Sequence, residues 1–150
     1  MGAVASRSLI DSELLKQIES DVIQPSVEGL IKDNLDFKGF LYAGLMLTKD
    51  GPKVLEYNCR FGDPEAQAVL PLIKGDFAAY LMHGAKGDLN DSLIDFDEGW
   101  SICLVLASAG YPNSSRNEDL INGLDLIQDA RVYHAGTKKT SEVHYVTNGG

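Results

Sequence analysis

The chain has 150 residues, 44% hydrophobic and 23% charged, a composition that suits a soluble globular protein able to bury a core. Its 13 basic and 22 acidic residues leave a net charge of −9, which argues against non-specific nucleic-acid binding but not against a phosphate held by one arginine and a few backbone amides. No stretch approaches the roughly 18 apolar residues of a membrane span, the N-terminus lacks a signal peptide's apolar core, and two cysteines in apolar runs, Cys59 and Cys103, point to reduced thiols in a cytoplasm.

In chain order, Asp11 or Ser12 is placed to cap a helix beginning at Glu13. Leu14, Leu15, Ile18, Val22, Ile23, Val27, Leu30 and Ile31 recur at helical spacing, and Pro25 should kink or divide that helix. The polar stretch from Lys32 to Lys38 ends it. Two apolar runs follow, Gly39 to Thr48 and Lys53 to Asn58, joined by Lys49-Asp50-Gly51-Pro52. This predicts a β-hairpin with Asp-Gly at the turn's centre. Gly39 and Gly44 in its first strand permit close approach by another backbone or a ligand.

Pro64 to Lys74 reads as a helix, and Gly75-Asp76 starts another through Phe77, Tyr80, Leu81 and Met82, ended by Gly84 to Gly87. Composition shifts after Asn90. Trp100 to Ala109 reads as a buried strand, and Tyr111 to Asn122 is polar and turn-rich. Further strands are expected near Leu124 to Ile127, Arg131 to His134 and Glu142 to Val146. The closing Asn148-Gly149-Gly150 is a turn signal with no element after it, as expected of a chain cut within its sheet.

The densest chemistry lies in Leu55-Glu56-Tyr57-Asn58-Cys59-Arg60-Phe61-Gly62-Asp63-Pro64-Glu65. Glu56, Asn58 and Arg60 stand two residues apart, so on a strand their side chains leave one face. A carboxylate beside an amide oxygen suits Mg²⁺ that also holds nucleotide phosphates, and an arginine offers a planar fork for a phosphate or carboxylate. The turn Gly62-Asp63-Pro64-Glu65 can start a helix whose N-terminus favours negative charge. The same alternation also fits the solvated face of a sheet. Val54, Leu55, Tyr57 and Phe61 favour a well-packed strand over a loose edge. Cys59 should face opposite Glu56 and Asn58, into packing; no His and Asp stand at positions that would make it a nucleophile.

Gly39-Phe40-Leu41-Tyr42-Ala43-Gly44-Leu45-Met46-Leu47-Thr48, followed by the run from Lys53 to Glu65, closely resembles the phosphoribosylamine–glycine ligase family, ATP-grasp enzymes of purine biosynthesis. Further matches are Leu70 to Asp76, Ala107-Ser108-Ala109-Gly110-Tyr111-Pro112, His134-Ala135-Gly136-Thr137 and Thr147-Asn148-Gly149-Gly150. The likeness runs from about Asp11 to Gly150. Val4 to Ser8 depart from the family's aromatic-Ser-Pro-Ala-Pro continuation, as a vector-derived stretch would.

The resemblance implies an α+β fold: the second lobe of an ATP-grasp domain, antiparallel sheet with helices on one face, over residues 1–90. A truncated, strand-rich C-terminal domain would follow over residues 91–150. Family members are about three times this length, so the N-terminal domains of the same protein would be the missing partner. The implied reaction joins glycine to 5-phosphoribosylamine through a glycyl phosphate while ATP becomes ADP and phosphate.

Glu56 and Asn58 match the family's metal-ligand positions, for Mg²⁺ or Mn²⁺. Related enzymes often place another carboxylate on the preceding strand, yet Tyr42 to Met46 contain none. Arg60 is the candidate catalytic residue, steadying the transferred phosphate; its alternative is an ion pair with Asp63 or Glu65. Asp63 is a candidate for orienting the amine of glycine or phosphoribosylamine, though a helix cap is the commoner use of such a residue. Gly62 should serve turn geometry alone. His134 reads as structural before acid–base work, and His83 and His144 have no partner by spacing. Without the lysine-bearing lobe that covers the nucleotide, the chain alone should be inactive. The alternatives are a non-catalytic metal- or nucleotide-binding module and another purine-pathway ATP-grasp ligase. No nucleic acid or membrane partner is expected.

Overall fold

Asp11 starts the first helix as its position suggests. In the computed structural model, which describes residues 1–141 and 144–150, its carboxylate accepts from the Glu13 and Leu14 amides at 3.1 and 2.8 Å and caps α1, Ser12–Ile18. A π-helical turn, Glu19–Ile23, leads into α2, Gln24–Lys32, with Pro25 in its first turn. Proline has no N–H for the ladder, yet the backbone stays helical through Ile23 and Gln24, so the helix runs on through a π turn just before Pro25 and is not cut in two. Val22 in the π turn is buried.

The predicted hairpin forms from β2, Tyr42–Thr48, and β3, Gly51–Asn58. Tyr42 stands opposite Asn58, Gly44 opposite Glu56 and Thr48 opposite Gly51. The loop is therefore Lys49-Asp50, one residue earlier than the Asp-Gly centre expected. Gly51, at φ +90°, opens the second strand, and Thr48 Oγ1 accepts from the Asp50 amide at 3.1 Å while donating to the Gly51 carbonyl at 2.8 Å. The register jumps between Gly44 and Leu45, leaving Leu55 as an extra, bulged residue.

The hairpin is not the well-packed element its apolar residues suggest. Val54, Leu55 and Tyr57 are 41%, 64% and 45% exposed. Among the described residues β3 pairs only with β2, so its outer edge stays open. One anchor reaches across from α2, where the Ser26 hydroxyl meets the Tyr57 hydroxyl at 2.7 Å.

The helix expected from Pro64 to Lys74 is shorter. It runs only over α3, Glu65–Val69, then tightens into a 3₁₀ turn at Leu70–Leu72 and becomes β4, Ile73–Gly75. Pro71 explains the break, because it cannot supply the next ladder N–H. The second helix, α4, spans Phe77–Lys86: Asp76 accepts from the Ala79 amide at 2.8 Å, and Gly87, at φ +79°, closes it. β5, Ile94–Phe96, pairs antiparallel with β4.

That small sheet is pinned by Lys74 Nζ and Asp97 Oδ2, 2.9 Å apart, while Asp97 Oδ1 accepts from the Gly99 amide at 2.9 Å. The hydrogen bond from Lys74, then that from Gly99, hold the Asp97 carboxyl below its ordinary range; the bond to Asp97 raises Lys74. A carboxyl lowered on folding contributes stability above its unfolded pKa, and loses it as pH falls through the folded value. Asp97→Asn should therefore lower melting slightly at neutral pH and blunt the acid limb of a stability–pH curve, the two chains converging at low pH. An acid limb identical to that of the parent chain would remove Asp97 from that role.

The N-terminal stretch is part of the fold. β1, Gly2–Ala5, pairs antiparallel with β6, Ser101–Leu104, and Arg7 donates to Glu98 Oε1 at 3.2 Å. Val4 and Ala5 are thus paired in a sheet and Arg7 is tied to Glu98, so this stretch is held by the fold. α3 lies against β1 and β6; its Ala68 is buried, and Ala3, Ala5, Ser101 and Cys103 are half-buried in alternation. Trp100 to Ala109 is neither wholly strand nor buried: only four residues pair, and Ile102 and Leu104 are 74% and 75% exposed. A two-stranded sheet with one covered face leaves alternate side chains in solvent.

The described residues fall into two units, Met1–Leu104 and Val105–Gly150. The junction expected at Asn90 lies inside the first, since β5 and β6 pair with β4 and β1. In the second unit β9, Tyr145–Thr147, runs between β7, Leu120–Ile121, and β8, Thr137–Lys139, with Val146 buried. Leu124 to Ile127 is not a strand: a 3₁₀ turn at Leu124–Leu126 follows Gly123, whose φ is +80°. Nor is Arg131 to His134; the strand comes three residues later. Of the expected strand from Glu142, Tyr145 and Val146 lie in β9, while Glu142 and Val143 are outside the described residues.

All strand pairs among the described residues are antiparallel, so the α+β class holds, built from small sheets and short helices. No described helix is long and apolar enough to cross a membrane.

Candidate metal and phosphate site

Glu56 and Asn58 come side by side near the end of β3. The Asn58 amide donates to Glu56 Oε1 at 3.1 Å, which leaves Glu56 Oε2 and the Asn58 carbonyl oxygen free of that bond. Glu56 is exposed and Asn58 half-buried. Gly44, opposite Glu56, makes room for it: a methyl group there would sit 3.2 Å from Glu56 Cγ and 3.5 Å from Tyr42 Cε1. The freedom inferred for Gly44 is thus used by the carboxylate's own stem.

Arg60 does not continue the strand face. β3 ends at Asn58, and Cys59-Arg60 form a bend. The guanidinium donates to the neighbouring Phe61 carbonyl at 2.7 Å, and among the described residues it makes no ion pair with Asp63 or Glu65. It remains exposed. Asp63 is exposed as well, and it does not cap α3: the N-cap is Pro64, with no side-chain cap bond, and Asp63 Oδ1 accepts from Gln67 Nε2 at 3.3 Å. Cys59 is exposed, not packed, because the bend turns it out of the strand.

Two residues missed in the sequence complete the site. The Tyr42 hydroxyl donates to Glu65 Oε1 at 3.1 Å, linking the first residue of β2 to the first turn of α3. Partial burial pushes the Tyr42 phenol above its ordinary pKa, and so do the bond and charge of Glu65; Glu56 adds to the rise and Arg60 opposes it. Tyr42 therefore feels all three charges of this corner. Glu65 also folds back over Gly62, where an added methyl would run into its carboxylate and sit 2.8 Å from its Cβ. Gly62 serves that close approach as well as the turn. The signal was available: a hairpin register placing Gly44 opposite Glu56 also puts Tyr42 opposite Asn58.

Phe61 points the other way, its ring 3.9 Å from that of Phe40. The histidines have partners of their own. His83 Nδ1 lies 3.2 Å from both the Asp88 carbonyl and Asp88 Oδ1, and His144 Nδ1 lies 3.0 Å from Ser141 Oγ, so both have partners that spacing did not suggest. His134 Nδ1 is 3.0 Å from Thr137 Oγ1 and its ring stacks on Tyr145 at 4.5 Å, a packing arrangement.

Among the described residues no three His, Cys, Asp or Glu side chains gather as a metal cluster. The donor set at Glu56 and Asn58 is one carboxylate and one amide. That suits a hard cation whose remaining ligands are phosphate oxygens and water, the usual manner of Mg²⁺ with nucleotides.

Comparison with known proteins places this corner in a family. The ATP-grasp (A) domain of phosphoribosylglycinamide synthetase matches residues 1–66, and the C domain of the same synthetase matches residues 101–150. The whole chain aligns with a phosphoribosylamine–glycine ligase of Caldanaerobacter subterraneus at 44% identity, covering 36% of that protein. It aligns with one of Yersinia pestis at 41%, also over 36% of its length. A trifunctional purine biosynthetic protein of Drosophila pseudoobscura is 41% identical, with 11% of it covered. The crystal structure of a phosphoribosylamine–glycine ligase from Thermotoga maritima superposes with a TM-score of 0.79 at 30% identity, over all of this chain and 36% of that one. The chain thus spans about a third of the length of the ligases it matches.

Proposed function

The chain belongs to the phosphoribosylglycinamide synthetase family, and from that premise we propose that it supplies the cation- and phosphate-holding part of a ligase that joins glycine to 5-phosphoribosylamine at the expense of ATP. The observation that carries this reading is the Glu56–Asn58 pair on β3 with Arg60 exposed two residues beyond. Glu56 and Asn58 would hold Mg²⁺ or Mn²⁺ together with the nucleotide's phosphates. Bound there, the ion supplies charge neutralisation during phosphoryl transfer.

The remaining work falls to side chains. In the proposed reaction the glycine carboxylate takes the terminal phosphoryl group of ATP, giving glycyl phosphate and ADP. The amine of phosphoribosylamine then attacks the acyl carbon, phosphate leaves and the amine loses a proton. Arg60, with a fixed fork of donors and no competing carboxylate partner among the described residues, is suited to steady the departing phosphoryl oxygens. Asp63, free of a capping role, is available to orient the substrate amine.

An ATP-grasp site closes between two lobes, and a span of about one third of the related ligases accommodates one of them. The rest of the synthetase is therefore the proposed partner, and the cytoplasm the proposed compartment. The chain alone is expected to show no glycine- and phosphoribosylamine-dependent ADP release above a blank; turnover would mean that 150 residues suffice. Calorimetric titration with ATP, with and without Mg²⁺, tests the reading itself. Magnesium-dependent binding supports it, and binding that ignores magnesium overturns the Glu56–Asn58 assignment.

A further inference from the structure

We propose that Tyr42 and Glu65 form a clasp that sets where Arg60 stands relative to the Glu56–Asn58 pair, a positioning role that rests on the function proposed above. The cation pair and the arginine belong to different pieces of backbone. Glu56 and Asn58 ride on β3, while Arg60 and Asp63 ride on the turn from Cys59 to Pro64, which has left the sheet. Something must fix one piece against the other, since an ångström of slack at a phosphoryl-transfer site is costly.

The chain entering β2 does this with two side chains two residues apart. Phe40, just ahead of the strand, packs its ring at a tilt against Phe61, centroids 3.9 Å apart, and Tyr42 donates its hydroxyl to Glu65 Oε1 at 3.1 Å. Phe61 and Glu65 are half-buried; Arg60 and Asp63, which alternate with them along the turn, are exposed. The turn is thus gripped at Phe61 and, through Glu65, at its exit into α3, and it presents Arg60 and Asp63 outward. Both glycines serve the grip. Gly62 lets Glu65 fold back over the turn, and Gly44 keeps the space between the Tyr42 ring and the Glu56 stem free of a side chain. Tyr42 is in turn the cross-strand partner of Asn58, so one residue touches both halves of the site.

A clasp needs an acceptor at Glu65, not a charge. Magnesium–ATP affinity is to be measured by calorimetry for the chain and for Tyr42→Phe, Glu65→Ala, Glu65→Gln and Tyr42→Phe/Glu65→Ala. Melting temperature and the Arg60 Nε–H resonance, recorded without ligand, accompany each. Tyr42→Phe and Glu65→Ala should each weaken binding about tenfold, the scale of losing a residue that orients a ligand. Both should shift the Arg60 resonance, the double variant should be no worse than either single one, and Glu65→Gln should restore binding.

Failure of Glu65→Gln to rescue would make the Glu65 charge itself the requirement and overturn the clasp. An Arg60 resonance unmoved in Tyr42→Phe would do the same. Glu56→Ala is the control for the underlying reading: if it binds like the parent chain, or if the parent binds nothing, that reading fails. The Arg60 resonance alone then decides the clasp.

Discussion

Glu56→Ala is expected to weaken magnesium-dependent ATP binding by at least about a hundredfold, close to 3 kcal/mol. The magnitude follows from the donor count. Losing a residue that merely orients a ligand costs about 10- to 100-fold in metal affinity, so losing the carboxylate of the proposed donor pair should cost no less. Among the described residues no group of three His, Cys, Asp or Glu side chains is placed to hold the ion in its stead. Asn58→Ala removes a neutral oxygen and should cost less, about tenfold. Calorimetry of the two variants beside the parent chain checks the order, and equal losses would contradict an unequal donor pair.

The largest effect on folding is expected at Gly75. Its φ is +95°, and a methyl group there would run into the Leu93 carbonyl and sit 3.2 Å from the Leu93 carbonyl carbon and 3.3 Å from Ile94 Cα. These are backbone atoms of β5's first residue and of the residue just before it, so they cannot swing aside as a side-chain tip would. Gly75→Ala therefore combines a left-handed backbone penalty of about 1–2 kcal/mol with loss of the β4–β5 register, together on the order of 3 kcal/mol. Denaturant unfolding followed by circular dichroism should show the midpoint fall sharply. Gly29→Ala is the matched control, because a methyl there meets nothing within 4 Å; similar losses in both would remove the steric argument.

Local signals in the sequence translated well into structure. The Asp11 and Asp76 caps, the irregular turn before Pro25 and the hairpin each depend on neighbours within about four residues, and the structure places them there. Pro71 carried the same kind of signal, and a helix drawn through it was bound to be too long. Packing was another matter. Tyr57, Ile102 and Leu104 have apolar character that predicts burial, but burial depends on what lies across the sheet, which alternation in one strand cannot supply.

The candidate site divides along the same line. The adjacency of Glu56 and Asn58 follows from strand periodicity. The departure of Arg60 from their face does not, because period-two reasoning has no means of marking where the strand ends. The bond from Tyr42 to Glu65 joins residues 23 apart in sequence, and only the hairpin register hints at it.

The most direct measurement is the nuclear magnetic resonance spectrum of the labelled chain titrated with Mn²⁺ and ATP, whose paramagnetic ion broadens the residues nearest to it. The account predicts that the Glu56, Asn58 and Arg60 amides broaden first, and that Glu56→Ala abolishes the effect. Broadening centred on the acidic stretch from Asp88 to Glu98, with the hairpin untouched, would contradict it.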